Sequence, residues 1–133
     1  MDGSHRSLEE AKNIDVYTAK GLLNIGYRYL DVRTKEEFEK GHFEGALNIP
    51  YMFITKDGRV KNPDFITQVS EVTQKGDQLV VACNSGGRGL KATIDLQNEG
   101  YEHVANIEGG YSAWVDAGFA GQNAQKSDCK FRL

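Results

Sequence analysis

The chain has 133 residues, 39% of them hydrophobic, which is enough for one compact core and sets the expectation of a single domain. A formal net charge of -3 gives no basic excess of the kind a nucleic-acid or anionic-membrane surface needs, so any anion it binds must be attracted locally. No apolar run approaches the roughly 20 residues that span a bilayer, and no hydrophobic signal segment opens the chain, so it reads as soluble, with no membrane or nucleic-acid partner.

The two cysteines, Cys83 and Cys129, are too few for a disulfide framework, and the three histidines, His5, His42 and His103, do not sit at zinc-ligand spacing from them. That combination favours a reducing compartment and no metal site. The cytoplasm is expected, or an organelle if a targeting segment has been removed. Residues 1–13 read as a flexible N-terminus, whose small, polar residues 1–7 have the look of a cloning remnant or an ordinary frayed end; 14–120 form the expected domain; 121–133 read as a flexible polar tail.

In chain order, Ile14-Asp15-Val16 reads as a brief strand. Thr18 then stands as N-cap of a helix through Leu22, Leu23 and Ile25 that stops at Gly26. Tyr29-Leu30-Asp31-Val32 has a buried-strand pattern. Thr34 followed three residues later by Glu37 has capping-box spacing, so a short helix over 35–40 is expected, ending at Gly41. The next strand covers 46–49 and is closed by Pro50. Lys56-Asp57-Gly58-Arg59 reads as a surface turn, because Asp-Gly supplies the backbone freedom of a tight reversal. Asn62 as N-cap and Pro63 at the first helical position then launch a helix with Phe65, Ile66, Val69 and Val72 on one face.

Leu79-Val80-Val81-Ala82 is the most hydrophobic strand and runs straight into Cys83. A helix over 90–98 follows, then a strand over 104–107, and Gly109-Gly110 leads into a last helix around Trp114. This alternation of β-rich runs and helical patterns predicts an α/β domain with a mainly parallel central sheet and helices on both faces.

The carboxyl end of a buried parallel strand is where an open α/β sheet places its ligand site, and Cys83 stands there. In the loop Cys83-Asn84-Ser85-Gly86-Gly87-Arg88, followed by Gly89, the glycines let successive N–H groups point inward at an anion, and the next helix adds its positive end. Arg88 contributes a permanent charge whose planar fork can hold an oxyanion in two places. All of these favour the thiolate of Cys83, the competent nucleophile. A purely structural cysteine is the alternative, but it gains nothing from three nearby glycines, which weaken a helix start by roughly 1 kcal/mol each against alanine.

These residues resemble the rhodanese family in three segments. One runs from Leu30-Asp31-Val32-Arg33 through Glu37-Phe38, Gly41-His42 and Gly45-Ala46 to Asn48-Ile49-Pro50; the second is the Cys83 to Arg88 loop; the third is Gly109-Gly110-Tyr111-Ser112-Ala113-Trp114. The resemblance implies the rhodanese-like fold and a loop cysteine that takes sulfane sulfur as a persulfide and passes it to a thiol or cyanide. Phosphatases of the same fold have a loop one residue longer, which argues against phosphate esters here. Within the family the chain is most similar to single-domain plant proteins, including senescence-associated sulfurtransferases and the High-Arsenic-Content type arsenate reductases. Asn84, Gly89 and Cys129-Lys130-Phe131-Arg132 lean to the reductases, since the plant sulfurtransferases usually carry Gln and Ser at the first two positions.

The likeness implies no bound cofactor, an arsenate or thiosulfate oxyanion as substrate, and glutathione with glutaredoxin, or another thiol, as the acceptor. Three function classes stay open: arsenate reductase, the preferred reading; thiosulfate sulfurtransferase; and a non-catalytic binding module. Asp31 and Arg33 are expected to form an ion-pair and capping network with Glu37, with steering of the substrate or loop as the alternative. His42 is given a packing role by the resemblance, and Trp114 and Tyr111 read as core aromatics. Cys129 is either incidental or a resolving thiol for Cys83.

Overall fold

The computed structural model describes residues 12–119; Cys129 and nearly all of both expected flexible ends lie outside the described residues. In chain order the elements are β1 (Asn13–Ile14), α1 (Val16–Asn24), β2 (Arg28–Asp31), α2 (Lys35–Lys40), β3 (Leu47–Asn48), β4 (Met52–Thr55), β5 (Gly58–Lys61), α3 (Phe65–Val72), β6 (Gln78–Ala82), α4 (Gly87–Asn98), β7 (His103–Ile107) and α5 (Gly110–Asp116). The central sheet has the order β1-β7-β6-β2-β3 and every neighbouring pair is parallel.

Strand alternation divides the core between two faces. On β6, Leu79 and Val81 point to one side, where Phe65 and Val69 of α3 and Ala92 and Leu96 of α4 cover them. Val80 and Ala82 point to the other, against Val16 and Ala19 of α1 and Trp114 of α5. Leu79, Val80 and Val81 are all 0% exposed, and a fully buried side chain of this size contributes about 1.5–3 kcal/mol. Helices on both faces of a parallel sheet therefore follow from one apolar strand that needs cover twice. None of the described helices is long and apolar enough to cross a membrane.

Several boundaries differ from the sequence reading. Helix α1 starts earlier, because Asp15 rather than Thr18 is its N-cap, its carboxylate accepting from the Thr18 N–H at 2.7 Å. The α2 capping box of Thr34 and Glu37 forms as expected. The Asp57-Gly58 turn is the tip of an antiparallel hairpin, β4 with β5, whose strands the sequence reading did not foresee. Asn62 is buried and does not cap α3 directly: its side-chain oxygen accepts from the Asp64 N–H while its amide donates to the Pro50 carbonyl and to Gln68. That turn keeps Pro63 outside the helix. Helix α4 begins at Gly87, inside the segment expected to be loop, so Arg88 and Gly89 lie in its first turn.

Candidate active site

The chain leaves β2 toward β3 on one side and leaves β6 toward β7 on the other, although β2 and β6 are neighbours. Their carboxyl ends therefore flank a crevice, the general ligand position in an open parallel sheet. Asp31 pairs with Ala82 in the register, so Cys83 and Arg33 leave the sheet on opposite lips of that crevice.

Cys83 is buried, 1% exposed, while the adjacent Asn84 and Ser85 are exposed. The Gly86 N–H donates to the Cys83 sulfur at 3.0 Å, setting the partial positive charge of an amide against the thiol. Gly86 takes the left-handed φ of +116° as N-cap of α4, and its carbonyl accepts from the Leu90 N–H at 2.9 Å. Gly89 is required by close approach: a Cβ there would collide with Asn106 Oδ1 and stand 3.3 Å from the Cys83 nitrogen. Gly87 has open space around it, so of the three glycines expected to let the backbone curl only Gly86 takes a positive φ, while Gly89 answers to close packing.

The loop is clamped from outside by α5. The N–H groups of Tyr111 and Ser112 donate to the carbonyls of Cys83 and Asn84 at 2.7 and 2.9 Å. This approach is possible because Gly110, at φ +60°, has no Cβ to meet the Cys83 carbonyl. From below, the buried Asn106 of β7 donates to Asn13 Oδ1 at 2.8 Å and weakly to the Gly86 carbonyl at 3.4 Å.

Two ion pairs frame the crevice. Asp31 and Arg33, 0% and 4% exposed, form a forked pair, with Arg33 Nη2 also donating to the Gly41 carbonyl at 2.7 Å. Burial opposes the Arg33 charge, but the hydrogen bond and attraction from Asp31 outweigh it and raise the guanidinium above its ordinary value. Glu37 does not join this pair as expected. Its two oxygens accept from Nη1 and Nη2 of Arg88 at 2.8 and 3.1 Å. The Arg88 hydrogen bond, against a smaller opposing effect of burial, lowers the Glu37 carboxyl from 4.5 to about 2. The fork of Arg88, expected to face an oxyanion, is therefore engaged by α2.

A cavity of about 270 Å³ opens beside the loop, lined by Arg33, Glu37, Lys40, Gly41, Asn84 and Tyr111. Tyr111 is half-buried and packs at the edge of the core beside Trp114, and its ring also covers the Arg33 guanidinium at 4.3 Å. Trp114 is in the core, as expected. A hollow of about 460 Å³ around Arg28, Thr73 and Asp77 lies at the amino ends of the strands, away from Cys83 and its loop.

The model of the rhodanese-like domain family matches residues 10–117. The chain belongs to the rhodanese-like family. It is 62% identical over 130 residues to the mitochondrial protein High Arsenic Content 1 of Arabidopsis thaliana, covering 96% of this chain and 77% of that one. To thiosulfate sulfurtransferase 18 of the same plant it is 51% identical over 118 residues, 87% of each chain. Among solved structures, the rhodanese-like domain of an Anabaena protein matches with a TM-score of 0.66 at 23% identity, over 87% of this chain and 86% of that one, a likeness of fold.

In this rhodanese-like domain the residues singled out by sequence do gather in one place: Cys83 and its loop, with Asp31 and Arg33 across the crevice. Sequence reasoning missed Lys40, the cavity position of Tyr111 and the supporting Asn106. The last had a visible signal, since it is a polar residue inside the apolar run Val104 to Ile107. The Glu37–Arg88 pair had none, because its partners are 51 residues apart.

Proposed function

We propose that this rhodanese-family protein is a cysteine-dependent arsenate reductase using the thiolate of Cys83, with glutathione and glutaredoxin as the source of thiols. The observation that carries the reading is the thiol at the sheet's carboxyl edge, accepting from the Gly86 N–H in a loop clamped from two sides. The greater likeness to a relative named for arsenic content than to the sulfurtransferase supports arsenate as the oxyanion.

In this mechanism the thiolate attacks arsenic, an arsenate oxygen leaves as water after protonation, and a Cys83–arsenic bond forms. A glutathione thiolate then attacks the Cys83 sulfur. The sulfur–arsenic electron pair stays with arsenic, which departs as arsenite, and a mixed disulfide remains on Cys83. A further thiol reduces that disulfide and frees the enzyme. Because Cys83 is 1% exposed, the exposed Asn84-Ser85 segment must yield to admit the oxyanion. Loop amides from Asn84 to Gly89 then hold its oxygens, the role in which preorganised donors are most effective. The names of relatives carry both mitochondrial and chloroplastic locations, so an organelle joins the cytoplasm as a proposed setting.

A second reading has its own support. The chain is also 51% identical over 118 residues to a relative named thiosulfate sulfurtransferase 18, and thiosulfate, an oxyanion of charge comparable to arsenate, suits the same loop amides. Cys83 would then attack the outer sulfur, sulfite would leave with the S–S electron pair, and the persulfide would pass its sulfur to cyanide or a thiol. Turnover of purified protein on arsenate with glutathione and glutaredoxin, beside thiosulfate with cyanide, tests the choice. Arsenite formation well above thiocyanate formation is expected; thiocyanate without arsenite would replace the reductase by the sulfurtransferase.

A further inference from the structure

The cavity beside Asn84 has a wall that nothing in the fold uses. Arg33 is 4% exposed, and its Nε and Nη2 are engaged by Asp31 and the Gly41 carbonyl. Its Nη1 donates to no group among the described residues. The ring of Tyr111 covers the face of the guanidinium and supplies no acceptor along its edge. Nη1 is not sealed from solvent, and on the cavity wall it is free to donate to an acceptor brought in from outside.

The charges lining the cavity do not cancel. Arg33 is balanced by Asp31 and Glu37 by Arg88, which leaves the exposed Lys40, without an ion pair among the described residues, as the unbalanced charge. The volume of about 270 Å³ equals roughly nine waters at ~30 Å³ each, more than a lone tetrahedral oxyanion needs. The Cys83 sulfur is not on the wall, but its neighbour Asn84 is.

We propose that this cavity is the acceptor subsite, taking a small carboxylate-bearing thiol whose carboxylate lies between Arg33 Nη1 and Lys40. The proposal rests on the reading that an external thiol relieves Cys83 of its product. It assigns to Arg33 and Lys40 the recognition of the acceptor rather than of the oxyanion.

Two measurements on the full chain test it. S-methylglutathione keeps the carboxylates and cannot react, so its titration by calorimetry needs no turnover. KM for glutathione, for the uncharged 2-mercaptoethanol and for the oxyanion is measured in parallel. Lys40→Glu should weaken S-methylglutathione binding and raise the glutathione KM by about three- to tenfold, the range expected for reversing one exposed charge beside the ligand. Lys40→Arg should restore both, and the KM values for 2-mercaptoethanol and the oxyanion should stay near wild type. Equal effects on both thiols, no effect on either, or a rise only in the oxyanion KM would overturn the subsite. If no oxyanion is turned over, the enzymatic reading fails by itself, and calorimetry still decides whether the cavity binds the carboxylates.

Discussion

Gly86 and Gly87 are neighbours in sequence and opposites in constraint, so the same substitution should have opposite effects at the two. Gly86 holds φ at +116°, and a Cβ there would stand 3.3 Å from the Gly109 nitrogen. Alanine must either accept that backbone, at about 1–3 kcal/mol, or rotate out of it and carry the N–H away from the Cys83 sulfur. Gly87 opens α4 without a positive φ and with nothing within 4 Å of a Cβ. Alanine there should stabilise by roughly 0.5 kcal/mol, because it restricts the unfolded chain and suits a helix. In urea, with a slope of about 1.5 kcal/mol per molar, Gly86→Ala should lower the unfolding midpoint by about 1.3 M and Gly87→Ala should raise it by about 0.3 M. Alkylation of Cys83, located by peptide mass, should also change for the first variant alone. Midpoints that move together, or a Gly86→Ala midpoint equal to wild type, would refute the assignment of Gly86 as the strained residue of the loop.

Other substitutions probe the frame. Asp31→Asn leaves the buried Arg33 without its counter-charge and should cost about 3–5 kcal/mol in denaturant unfolding. Glu37 has a depressed carboxyl, so its stabilising pairing with Arg88 is complete above pH 4.5 and is lost as pH falls toward about 2. The stability gap between wild type and Glu37→Gln should therefore be constant near neutrality and close across that acidic window. Gly89→Ala collides with Asn106, so Asn106→Ala should partly rescue it, with a coupling of about 1 kcal/mol or more in a double-mutant cycle.

What could be read from the sequence was what is local. The apolar run into Cys83, the capping box at Thr34 and Glu37 and the Gly109-Gly110 helix start each declare themselves within a few residues, and together they imply the parallel sheet and the position of the loop. The errors arise where two local solutions compete. Asp15 and Thr18 are both good N-caps, and the strand ends early enough for Asp15 to win. Asn62 and Pro63 have the look of a helix start, but burial of Asn62 against Pro50 and Gln68 delays the helix to Phe65. The glycines after Cys83 read as loop formers in the sequence, although Gly87 and Gly89 sit in the first turn of α4. The partnership of Glu37 with Arg88, and with it the loss of Arg88 as a free anion fork, depends on tertiary approach and leaves no mark in spacing.

Trapping the intermediate on Cys83 decides whether this thiol carries the chemistry. Wild type and Cys83→Ser would each be incubated with arsenate and glutathione, quenched with acid, digested without reductant and mapped by mass. An arsenate-dependent glutathione mixed disulfide is expected on the peptide containing Cys83, with neither adduct nor arsenite from Cys83→Ser. Arsenite produced at the wild-type rate by Cys83→Ser would contradict that role of Cys83.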